Sequence, residues 1–119
     1  MSYEYSLRYA LDPEKDNEER IAELILFCKE AQIDEVNFFI NHEEIGRVHI
    51  SLDETKEWMK ASLDLKDRLA KEKIGFSLNP GITLMHGDRG RVVDPKLGIQ
   101  TMVDQDGTQA SAVACPGDP

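Results

Sequence analysis

The sequence predicts an α/β fold with a parallel sheet. Two observations carry this. Helical periodicity appears twice, and each periodic stretch is followed within a few residues by a short run of β-branched and aromatic residues. The run Val36-Asn-Phe-Phe-Ile40 is also nearly continuous in apolar residues, as expected of a strand covered on both faces. Strand, helix, strand, helix, strand in that order implies right-handed crossovers; open sheets and (β/α)8 barrels both begin this way.

The elements follow in order. Tyr3 to Leu11 alternates as a strand does, and Asp12-Pro13 stops it. Asp16 or Asn17 can cap the first helix, with Glu18 and Glu19 placed well for its dipole. Ile21, Leu24, Ile25 and Cys28 then form one apolar face running to about Gln32. After the Val36 strand, Ser51-Leu-Asp-Glu54 reads as a capping box. Trp58, Ser62, Leu65 and Leu69 keep helical spacing to about Lys73, and Trp58 is expected in the core. The third strand is Ile74 to Leu78, broken by Asn79-Pro80-Gly81. Residues 92–98 read as irregular loop. Ile99 to Val103 and Thr108 to Cys115 read as a returning pair around the turn signal Asp104-Gln-Asp-Gly107.

Composition narrows the function classes. The chain has 119 residues, 40% of them hydrophobic, enough for a modest core. Fourteen Lys and Arg against 23 Asp and Glu give a net charge of −9, which argues against nucleic acid or an anionic membrane as the partner. No apolar run could span a bilayer, and the start of the chain lacks the regions of a signal peptide. Cys28 and Cys115 form no zinc or CxxC spacing; Cys28 falls on the apolar face of the first helix as a small hydrophobe. A cytoplasmic protein is the expectation.

Chemistry is expected where strands end. Asn41 and His42 follow the second strand and Asn79 closes the third, where side-chain amides can donate to and accept from a ligand hydroxyl. His86, Asp88 and Arg89 lie beyond, in a loop spaced by Gly87 and Gly90. The spacing from His42 to His49 is not that of a zinc helix, and Gly46 breaks it, so no metal site is expected. His86 and Asp88 have no nucleophile in a recognisable context. No dinucleotide or phosphate-loop motif follows the first strand, so no cofactor is expected.

Three stretches, EVNFFINHEE, GFSLNPGITLMHGDRGR and MVDQDGTQASAVACPGDP, together resemble the N-terminal part of a bacterial TIM-barrel family related to glycoside hydrolases. The resemblance covers essentially the whole chain. It implies a partial (β/α)8 barrel over residues 1–119, with the first three or so β/α units and a hairpin-like insertion after the third strand. A full barrel needs roughly 250 residues, so the chain would be a fragment. The catalytic carboxylates of such an enzyme would lie on later strands. Asn41, His42, Asn79, His86, Asp88 and Arg89 would then contact carbohydrate without catalysing, and the chain alone is expected to be inactive. A stand-alone carbohydrate- or protein-binding module is the competing reading. A barrel enzyme acting on sugar phosphates, with Arg89 and Arg91 as anion contacts, is a third. Exposed sheet around Val36 to Ile40 is expected to drive self-association.

Overall fold

The structure is a computed structural model describing residues 2–40, 49–80 and 92–117. These fall into two compact units, one holding residues 2–40 and 52–80, the other residues 49–51 and 92–117.

The first unit is a β-α-β-α-β succession: β1 (Ser6–Tyr9), α1 (Glu18–Glu30), β2 (Glu35–Phe39), α2 (Leu52–Lys71) and β3 (Gly75–Asn79). The strands form one parallel sheet in the order β1-β2-β3. Its register sorts side chains by face, because alternate residues of a strand point oppositely. Leu7, Val36 and Phe76 share one face, as do Tyr9, Phe38 and Leu78. Val36 and Phe38 are fully buried there, and the Phe38 ring lies 6.2 Å from Trp58 and 6.1 Å from Phe76. Ile21, Leu24 and Cys28 of α1 and Trp58, Leu65 and Leu69 of α2 complete this core. Cys28 packs as a small hydrophobe, and its burial raises the thiol pKa.

The opposite face is polar. Glu35 Oε1 accepts from Ser77 Oγ at 2.7 Å and from Ser6 Oγ at 3.2 Å, while Asn37 Nδ2 donates to Ser77 Oγ at 2.9 Å. Arg8 stacks its guanidinium 3.9 Å above the Phe39 ring. The expectation that Val36 to Ile40 is covered on both faces therefore fails. Only alternate residues are buried; Glu35, Asn37 and Phe39 are half-buried.

The same face corrects the barrel expectation. In a (β/α)8 barrel it would be the interior, filled by layers of bulky branched side chains; here it holds a hydroxyl, carboxylate and amide network. Among the described residues no further strand joins β3. The described residues form a small α/β protein with two α-helices and two small sheets, not a partial TIM barrel.

Both helices end without glycine. Gln32 and Lys73 take up the left-handed conformation at φ 55° and 60°. In return Ile33 N–H donates to the Cys28 carbonyl at 2.9 Å and Ile74 N–H to that of Leu69 at 3.0 Å. These bonds satisfy carbonyls that the helix end leaves free and swing the chain into β2 and β3.

The second unit contains a short 3-10 turn, η1 (Pro95–Leu97), and the antiparallel pair β4 (Thr101–Val103) and β5 (Gln109–Ala114). Asp104 builds the turn: its Oδ1 accepts from the backbone of Asp106 at 2.9 Å and Thr108 at 2.8 Å, and Gly107 takes φ 82°. Val93 and Ala112 are buried together with Ile99 packed against them. The 3-10 turn replaces the irregular loop expected over 92–98, because Asp94 caps it through Lys96 N–H and Pro95 supplies its first residue.

Candidate functional site

Of the six residues singled out from the sequence, Asn41, His42, His86, Asp88 and Arg89 lie outside the described residues. Asn79 is described. It ends β3 opposite Phe39, and its carbonyl accepts from Ile40 N–H at 3.0 Å. His49 is also described: its Nε2 meets the Ala112 carbonyl at 2.9 Å, so that nitrogen carries the proton.

A hollow of the first unit lies elsewhere, at the carboxyl end of β1. The loop after β1, the start of α1 and the first half of α2 enclose about 480 Å³ there. That is within the range of small-molecule sites, at the end of a parallel sheet where such sites form. Leu11, Ile21 and Ala61 give it an apolar floor, and Asp16, Asn17, Glu57, Lys60 and Asp64 give it a polar wall. A second hollow of about 460 Å³ lies at the amino end, against Tyr5, Gln32 and Asp34.

Local chemistry shapes the cleft. The Asn17 side chain stands at the helix cap yet makes no capping bond. Instead its Nδ2 donates to the carbonyls of Asp12 at 2.8 Å and Lys15 at 3.0 Å, holding the loop in a tight arc. Asp16 takes over at the helix start, accepting from Glu18 N–H at 3.0 Å. Asn17 Oδ1 is left as a buried acceptor with no donor among the described residues. Such an atom costs roughly 1–3 kcal/mol while unsatisfied.

Charge is arranged asymmetrically around it. Arg68 grips Glu18 with both terminal nitrogens and reaches Asp64 through Nε at 3.1 Å. Hydrogen bonding to Arg68 holds the Glu18 carboxyl below its ordinary range, against a smaller opposing effect of desolvation. The Asp12 carboxyl is also lowered, first by the bond from Glu14 N–H, although its partial burial works the other way. A general acid needs the reverse, a raised pKa. In Glu18 and Asp12 these bonds favour the ionised carboxylate.

No protein-family model, curated protein sequence or solved structure matches this chain, and nothing in those comparisons bears on the resemblance to glycoside-hydrolase-related barrels.

Sequence reasoning missed the cleft because Asp16 and Asn17 read only as caps, and the polar residues Glu57, Lys60 and Asp64 carry no motif that singles them out. The available signal was positional: the loop after β1 is a strand's carboxyl end, as the loops after β2 and β3 are.

Proposed function

We propose that the chain is a non-catalytic α/β binding module whose cleft after β1 takes a small, uncharged, hydroxyl-rich ligand of the carbohydrate class. The observation that supports this best is a ligand-sized cleft whose lining includes Asn17, a residue whose buried Oδ1 has no donor among the described residues. A ligand hydroxyl supplies that donor once the loop after β1 shifts enough to uncover Oδ1, and the ligand's lone pairs can accept from the Lys15 or Lys60 ammonium. Carboxylates outnumber cations in the lining, and Glu18 and Asp64 already occupy Arg68, so an anion gains little there. Among the lining carboxylates Glu18 is held ionised by Arg68, which suits binding better than proton donation.

The test is titration of the 15N-labelled protein with neutral mono- and disaccharides up to about 10 mM, the range of weak single-site binding. The expected result is saturable shifts confined to amides of residues 11–21 and 57–64. Asn17→Ala, which removes both the acceptor and the loop contacts, should abolish them, and Asn79→Ala should not. Shifts absent throughout, or spread evenly over the surface, would overturn the reading.

A further inference from the structure

We propose that α2 pairs antiparallel with α2 of a second copy of this chain, through a helix face distinct from the one that builds the core. The helix carries two apolar rows. Trp58, Ser62, Leu65 and Leu69 are buried. Leu52, Met59 and Leu63 are 73%, 57% and 55% exposed, and with Ala70, also exposed, they recur at intervals of seven, four and seven residues. That spacing keeps them on one narrow stripe, the seam geometry of paired helices. The stripe spans about 27 Å at 1.5 Å per residue.

The occupant is indicated by symmetry in the sequence of the helix itself. Leu52 and Ala70 each stand nine residues from Ala61, and Met59 and Leu63 each stand two from it. Turning a second α2 end for end about that point lays Met59 on Leu63 and Leu52 on Ala70, so every apolar residue of the stripe meets another. The polar row beside it has the matching property with opposite signs. It reads Asp53, Lys56, Lys60, Asp64, Asp67, Lys71, that is, minus, plus, plus, minus, minus, plus. The same reversal brings Asp53 to within two residues of Lys71, Lys56 to within one of Asp67 and Lys60 to within two of Asp64 of the second copy, offsets that long side chains span.

Within one copy Asp53 already pairs with Lys56 at 2.8 Å and Asp64 with Arg68 at 3.1 Å; the cross-pairs extend these into a network. Compensation of this kind is required, because two chains of charge −9 repel one another at long range. Lys56 and Lys66 border the stripe, where their stems add apolar area while their ammonium groups stay in water. One helix pair is a small interface, in the class of weak, transient association.

Met59, Leu63, Asp53 and Lys71 do not line the cleft after β1, although Lys60 and Asp64 of the polar row do, so variants at the first four residues test the pairing without touching the cleft. Sedimentation equilibrium of the whole chain from about 10 to 500 µM, a range bracketing weak association, should show a monomer–dimer equilibrium. Leu63→Glu should weaken it at least tenfold, and Met59→Lys, a second exposed position, should do the same; each variant should keep the wild-type helix signal by circular dichroism. Asp53→Lys and Lys71→Glu should each weaken association several-fold, and the double variant should restore it, which loss of folding could not mimic. A chain monomeric throughout, a dimer indifferent to Leu63→Glu and Met59→Lys, or a double variant no tighter than its parents would overturn the proposal.

Discussion

The two units of this chain are held together by different physics. The first buries large side chains: Phe38, Leu65, Leu69, Val36 and Cys28 are fully enclosed between a parallel sheet and two helices. Residues far apart in sequence must assemble before any of that burial is realised. The second has a small described core of Val93 and Ala112 with Ile99, and its hairpin is organised by one turn residue, Asp104. Its order is local. A non-local layer should fail through cavities, whereas a local hairpin should fail through its turn.

The largest expected effect tests the first half of that contrast. Phe38→Ala removes a ring packed against Trp58 and Phe76 and should cost about 3–5 kcal/mol. Urea unfolding followed by Trp58 fluorescence would measure it, and a cost below 1 kcal/mol would deny that this ring organises the layer.

A smaller effect tests the second half. Asp104→Ala removes an acceptor of two backbone N–H groups and should cost about 1–2 kcal/mol, felt in the hairpin. Amide exchange should accelerate for the β4–β5 pairs while the β2 amides keep their protection. Equal acceleration in both would contradict the local character of the hairpin.

Smaller still, Lys73→Gly should stabilise the first unit by about 0.5–1 kcal/mol, since glycine takes the left-handed position after α2 at lower cost. The readout is a modest rise in melting temperature.

The smallest effect is electrostatic and depends on pH. The Glu18 carboxyl is lowered by Arg68, so its contribution is fully present above its unfolded pKa and is lost as pH falls through the depressed folded value. Arg68→Gln should therefore lower the melting temperature slightly near neutrality and leave it unchanged in strong acid. A difference that grows on acidification would reverse the assigned sign.

Much of this layout was legible in the residues. Helical spacing located α1 and α2, and the capping box at Ser51 set the start of α2 at Leu52, since those signals lie within a few residues of one another. Asp104 to Gly107 marked the turn for the same reason. The polar sheet face was misread. Asn37 interrupts the apolar run of β2, but the polar face emerges only when Ser77 of β3 lies in register with Asn37 and bonds both it and Glu35. Only Asn79 of the expected contact residues falls within the described residues; the cleft after β1 is a separate feature that the sequence did not single out.

The sequence by itself determined the element order, the parallel character of the first sheet and the burial of Cys28 and Trp58, because periodicity and short connections act locally. Only the tertiary structure decided that the sheet's second face is a polar network and that Asn17, whose Oδ1 has no donor among the described residues, lines a cleft. It also decided that Leu52, Met59 and Leu63 remain exposed on α2. Each of those outcomes depends on which distant residue arrives alongside, and the spacing within a single segment carries no information about that.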